Sequence, residues 1–180
     1  MDPARRLFPV VAGAEIVDLT EATVGRAVDT AVLAGSAQLL GAGEHLLRAA
    51  VDHAKSRKQF GRVIGEYQAL KHALADVRVA LDFARPLTYV AALALREGSP
   101  DAGRDVSAAK VAAGDAAYAA ARTALQVHGA IGYTAEHDLG LWITKVRALV
   151  TAWGTPALHR ARVHEAITRQ PAVAASHKAR

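Results

Sequence analysis

Arg57, Gln59, Phe60 and Gly61 stand almost side by side, and Gln68 follows seven residues after the glycine. Together they offer a fixed cation, an amide, an aromatic face and a glycine that lets another chain come close. That set suits an anionic, aromatic ligand, with guanidinium to phosphate and ring against ring. Each residue also has an ordinary explanation: Arg57 as an exposed ion pair, Phe60 as a loop anchor in the core. A second stretch adds weight to the ligand reading. Gln126-Val127-His128-Gly129-Ala130-Ile131-Gly132-Tyr133 ends a later helical pattern with two glycines.

Other chemistries are excluded by what is missing. There is no cysteine, so neither thiolate catalysis nor disulfides are available. No Glu-x-x-His pair supports a di-iron bundle, and no phosphate-cradling Gly-x-x-x-x-Gly-Lys occurs. Glu136-His137-Asp138 reads as the charged first turn of a helix, because adjacent helical residues point in different directions. The net charge is +5, but basic and acidic residues are interspersed. That favours a basic surface or attraction to an anionic small ligand over nucleic acid.

The elements that position these residues are helical. Apolar residues make up 52% of the chain and aromatics only 5%, with alanine, valine and leucine dominant. Alanine and leucine are strong helix formers. Thr20 caps a predicted helix over 21–55, with Val24, Val28, Val32, Leu39, Leu46 and Ala50 inward. Gly35, Gly41 and Gly43 inside it imply close packing against a neighbour. After a connection from Gly61 to Gly65, a second helix spans 66–97 and is kinked by Pro86. An alanine-rich third covers 103–129, and shorter ones follow at 136–147 and 156–169. The fold class is therefore all-α, an antiparallel four-helix bundle of residues 20–170. Residues 1–19 read as short extended segments, the remnant of a preceding β-domain, and 171–180 as a disordered tail. The longest uncharged run, Thr30 to Gly43, falls short of the about 18–20 residues that span a bilayer. No signal-peptide core follows Met1. These features predict an intracellular, cytoplasmic protein without a membrane span.

The order and spacing of the motifs resemble the C-terminal domain of the acyl-CoA dehydrogenases. The pieces are His53-Ala54-Lys55-Ser56-Arg57-Lys58-Gln59-Phe60-Gly61, Gln68, Ala109-Lys110, Gln126 to Thr134, Glu136-His137 and Gly154-Thr155. The usual Gly-Gly of the later loop is Gly129-Ala130 here. The resemblance implies FAD at a subunit interface, an acyl-CoA substrate and an electron-transfer flavoprotein as acceptor. It implies that Arg57 reaches the FAD pyrophosphate of a neighbouring subunit and that Phe60 packs against that cofactor. Gln126 and the Gly129 backbone would contact its phosphates or adenine side, and Thr155 would touch it near the catalytic loop.

One departure bears on the reaction. The family's usual base is a Glu directly before the Gly-Thr pair, and this chain has Trp153 there. Indole has no basic lone pair, so Trp153 cannot take the substrate's α-proton. Some family members carry the base on the first long helix, at the position of Asp29 here; the residue after it is Thr30 rather than the common Arg. Asp29 is thus an alternative base or simply an exposed helix aspartate. Some members also form heterotetramers with one subunit type lacking the Glu. Trp153 and the missing N-terminal and β-domains fit such a helper subunit, or a fragment. Either way the resemblance implies a homo- or hetero-oligomer of acyl-CoA dehydrogenase-type subunits.

Overall fold

The computed structural model describes residues 9, 13, 19–133 and 138–169. The expected remnant at 1–19 and tail at 171–180 fall almost wholly outside the described residues, as do Thr134, Glu136 and His137.

Five α-helices carry the described fold: α1 (Glu21–Ser56), α2 (Gln68–Glu97), α3 (Ala102–His128), α4 (Leu139–Thr151) and α5 (Pro156–Arg169). Thr20, in an extended conformation, accepts the amide of Thr23 at 3.2 Å and caps α1. Gly98, at φ 68°, ends α2: Ser99 N–H donates to the Ala94 carbonyl and Gly98 N–H to that of Leu95. That paired arrangement needs a left-handed residue, which glycine supplies without a Cβ clash. α2 starts at Gln68 rather than 66, because Ile64–Glu66 forms a tighter 3-10 turn first. It continues as one helix across Pro86. α4 begins at Leu139 and extends to Thr151, later at both ends than its pattern predicts.

α3 is the central helix and packs against each of the other four. Its alanines at 109, 113, 116, 117, 120, 121 and 124 are buried, and their small volume lets neighbours approach on several sides. Gly43 of α1 faces Leu81 of α2 and Ala117 of α3, Gly35 faces Lys110, and His53 stacks on His128. Numbers rising together on α1 and α3 mean that these helices run parallel. On α2 they fall instead, from Ala91 beside Val32 to Leu81 against Gly43. α1 meets α4 the same way, His45 stacking on Trp142 while Gly35 faces Trp153, so α2 and α4 run opposite. This is the expected antiparallel bundle, with α5 laid across α3 through Ser107–His159 and Asp115–Arg160 contacts.

Leu39, Leu46, Leu81 and Val146 are fully buried in the main core. Each contributes roughly 1.5–3 kcal/mol of burial. The expected inward face of α1 begins only at Val32. Val24 and Val28 are exposed, since the first turns of α1 extend past the core. Gly43 is packed tightly as expected, but Gly41 is exposed with open space around it. No helix among the described residues is long and apolar enough to cross a membrane.

Candidate functional site

Lys58–Gln59 and Arg62–Val63 pair antiparallel as β1 and β2, with Lys58 opposite Val63 and Gln59 opposite Arg62. The two residues between them, Phe60 and Gly61, have φ of 53° and 79°. Two positive φ values at a two-residue loop make the tight hairpin turn whose twist matches the strands. Asn-Gly is the usual occupant. Phenylalanine in this left-handed region costs about 1–2 kcal/mol, so the surroundings must hold it there. Two contacts do so. Tyr67 Oη donates to the Gln59 carbonyl at 3.4 Å, and the Arg62 guanidinium lies 4.0 Å from the Tyr67 ring centroid.

The hairpin was not expected from the sequence, and it decides the role of Phe60. The side chain is 92% exposed, so it is no core anchor. Arg57, just before β1, is exposed too, and among the described residues no carboxylate pairs with it. Arg57 and Phe60 share the wall of a cavity of about 400 Å³ with His53, Gln59, Ile64, Tyr67, Val127 and His128. His53 and His128 stack with centroids 4.3 Å apart, tying the end of α1 to the end of α3. His128 Nδ1 lies 2.8 Å from the Ala124 carbonyl and donates to it.

Gln126 and Gly129 line a separate, adjoining cleft of about 680 Å³ with Arg122 and Thr123. Gly129, at φ 61°, stops α3 and turns the chain. The last turn of α3 thus divides its residues: Val127 and His128 face the hairpin cavity, Gln126 and Gly129 the neighbouring cleft. Arg122 was not singled out by sequence reasoning. Its spacing of four from Gln126, one helical turn, is the signal that places both on one face.

Asp29 and Thr155 belong elsewhere. Asp29 precedes Arg57 by 28 positions on one continuous helix, which at ~1.5 Å per residue is roughly 40 Å. Its Oδ1 accepts from Arg162 Nη1 at 2.9 Å, and its side chain is only 13% exposed. It is therefore not the exposed helix aspartate that its position allowed, but a covered pair joining α1 to α5. Gly103 makes room for it: a Cβ there would lie 2.9 Å from Arg162 Nη2 and 3.3 Å from Asp29 Oδ2. Asp29 also lines a cleft of about 530 Å³ with Arg26, Leu95, Ser99 and Gly103.

Trp153 and Gly154 form the turn between α4 and α5, at φ 60° and 119°. The Trp153 indole is 55% exposed. The Thr155 hydroxyl accepts the Leu158 amide at 3.3 Å, capping α5, and Pro156 takes the first helical position. Under this turn lies Lys110, buried, whose Nζ donates to the Leu149 carbonyl. Among the described residues no group of three or more histidines and carboxylates could hold a metal.

Residues 25–168 match the family model described as acyl-CoA dehydrogenase, C-terminal domain. The acyl-CoA dehydrogenase IpdE2 of Mycobacterium tuberculosis is 36% identical over 143 residues, covering 79% of this chain and 43% of that protein. The solved butyryl-CoA dehydrogenase of Megasphaera elsdenii superposes with a TM-score of 0.76 at 29% identity, over 81% of this chain and 38% of that one. A chain in the solved structure of the electron transferring flavoprotein of Acidaminococcus fermentans reaches 0.78 at 32% identity, over 82% and 39%. The chain spans under half the length of these relatives.

Proposed function

This chain belongs to the acyl-CoA dehydrogenase family, and on that footing we propose that it serves in FAD-dependent α,β-dehydrogenation of an acyl-CoA thioester. Within that reaction its role is to complete the cofactor site of a partner subunit. The observation that carries this reading is Phe60, exposed in a strained turn beside an Arg57 that no described carboxylate neutralises. Strain at an exposed aromatic is a functional signature, because folding alone gains nothing from it. The hairpin cavity fits FAD in kind: an aromatic face, a cation for the pyrophosphate, and apolar walls from Ile64 and Val127.

When bound, FAD supplies the two-electron acceptor for the reaction. The residues of this chain do the holding. Arg57 would offer charge-assisted hydrogen bonds to phosphate oxygens, Phe60 would cover a ring face, and Gln126 and the Gly129 backbone would contact the adenine side. Thr155 would touch the cofactor near residue 153 with the part of its hydroxyl not used in capping. The roughly 40 Å along α1 between the hairpin and Asp29 supports sharing between subunits. One protomer presents Arg57 and Phe60 at one end of the bundle and the Trp153 turn at the other. The exposed apolar stripe Val79, Phe83, Leu87, Val90 and Leu93 on α2 supports an oligomer as well. An electron-transfer flavoprotein is the fitting external acceptor.

Trp153 stands where a base would take the α-proton and cannot accept it. The reading is therefore of a subunit without its own catalytic base, paired with a Glu-bearing one. A second reading places the base on Asp29, favoured by its carboxylate on the wall of the cleft near Gly103. Native mass spectrometry of the complex captured with this chain tests the choice. A larger Glu-bearing partner with FAD is the expected composition. A homo-oligomer with FAD moves the base to Asp29, and a flavin-free monomer overturns both.

A further inference from the structure

His159 is fully buried and sits one turn into α5, directly beneath the Trp153–Gly154 turn. Its Nε2 is 3.2 Å from the Trp153 carbonyl, and its Nδ1 is 3.2 Å from Ser107 Oγ, itself fully buried. A carbonyl only accepts, so Nε2 carries the proton, and in the neutral ring Nδ1 accepts from the Ser107 hydroxyl. The neutral imidazole is thus satisfied at both nitrogens. The turn is moulded on it: a Cβ at Gly154 would fall 2.8 Å from Nε2. Trp153 meanwhile holds a left-handed φ of 60°, costly for a bulky residue, which persists only if its surroundings impose it.

We propose that His159 is a positioning residue: its neutral ring latches the turn that carries residue 153, and protonation releases it. The charged groups facing the ring are Lys110 from α3, Arg162 from α5 and Asp29 from α1. Asp29 is already bonded to Arg162, so a third cation arriving here has no carboxylate of its own. Ser107 would also have to turn from donor to acceptor. Burial pushes the imidazole below its ordinary range; the Trp153 carbonyl opposes this, Lys110 and Arg162 reinforce it, and Asp29 opposes it. The neutral, latched form therefore holds at neutral pH, and the latch opens only as pH falls below about 6.5. The orientation of residue 153 toward any bound thioester becomes pH-dependent through a histidine that touches neither substrate nor cofactor.

The full chain tests this without flavin, so its failure is separate from failure of the cofactor reading. The chain has two tryptophans, Trp142 and Trp153. Trp142→Phe leaves Trp153 as the one tryptophan, read by excitation at the red edge where tyrosine does not absorb, and removes the stack of Trp142 on His45. Trp153 emission and anisotropy are followed from neutral to acid pH, with far-UV circular dichroism reporting helix content. The expected result is one transition below about 6.5, with helix content retained. His159→Gln, which can donate to the Trp153 carbonyl but does not titrate, should abolish it. Arg162→Gln, on a half-exposed side chain, removes one cation and frees Asp29, so it should move the midpoint upward. A transition that persists in His159→Gln, one that is absent in the parent, or a midpoint that moves downward in Arg162→Gln overturns the proposal.

Discussion

The indole of Trp153 lies against Gly35: a Cβ built on that glycine would stand 3.8 Å from Trp153 Cδ1 and 4.0 Å from Lys110 Nζ. Residue 153 is therefore aimed at α1 over a buried ammonium group. A carboxylate in place of the indole would enter a site with a cation beneath it. Trp153→Glu in the intact, flavin-loaded assembly should raise the rate of flavin bleaching by acyl-CoA by roughly 10²–10⁴-fold, the usual contribution of a positioned general base. If the rate stays flat while Asp29→Ala abolishes it, Asp29 is the base.

Phe60 should separate stability from binding. Phe60→Gly relieves a left-handed phenylalanine and removes a ring that touches little, so the melting temperature should hold or rise. Flavin affinity should drop roughly two- to tenfold, the value of an aromatic contact of about 0.5–1.5 kcal/mol. Arg57→Gln should weaken it by about tenfold or more, since hydrogen bonds to charged groups are worth ~1.5–3 kcal/mol. Flavin titration and calorimetry of the assembly read both. A large loss of stability with unchanged flavin retention would return Phe60 to a purely structural role.

Two glycines on α1 should respond to alanine with opposite signs. At Gly43 a Cβ would lie 2.7 Å from Leu81 Cδ2 and 3.2 Å from Ala117 Cα. Leucine can rotate away but the α3 backbone cannot, so Gly43→Ala should destabilise by about 1–3 kcal/mol, less about 1 kcal/mol regained in helix propensity. At Gly41 nothing lies within 4 Å. Gly41→Ala should therefore stabilise by about 0.5–1 kcal/mol. Denaturant midpoints for the two variants check the pair.

The apolar stripe of α2 centres on Phe83, 74% exposed in the protomer. Phe83→Asp places a charge where subunit contact would remove water. Light scattering should then show a shift toward smaller species with helix content unchanged. An assembly of undiminished mass would move the interface to another face.

Acid should lower the stability of the fold in two separable stages. Hydrogen bonding from Arg78 holds the Glu44 carboxyl below its usual value, against its own desolvation and with Arg85 adding to the effect. A lowered carboxyl stabilises the fold above its unfolded value of about 4.3 and loses that contribution as pH falls through the lowered one. His159, also lowered, stabilises above about 6.5 and loses its contribution at less acid pH than Glu44 does. Glu44→Gln should flatten only the more acid limb of a stability-versus-pH curve, and His159→Gln only the milder one.

The residue types alone specified the helices and the two ends that a cap residue marks, the start of α1 and the end of α2. Thr20 and Gly98 act within one turn of their own positions, and alanine and leucine periodicity specifies which faces can be buried. The sequence also carried the motifs that place the chain in its family, along with the absence of a base at residue 153. Only the tertiary structure decided the rest. The Phe60-Gly61 hairpin lacks the Asn-Gly signal, and its two-residue strands are too short to read as strands. That Arg57 and Phe60 open into one cavity while Gln126 and Gly129 open into the next depends on where α3 ends against α1. Asp29 meets Arg162, and His159 meets Ser107, across long intervals of chain. Caps and periodicity are interactions within one or two helical turns, so local residue types suffice to specify them. Partners across the bundle are chosen by the joint packing of all the helices, which no local stretch of sequence contains.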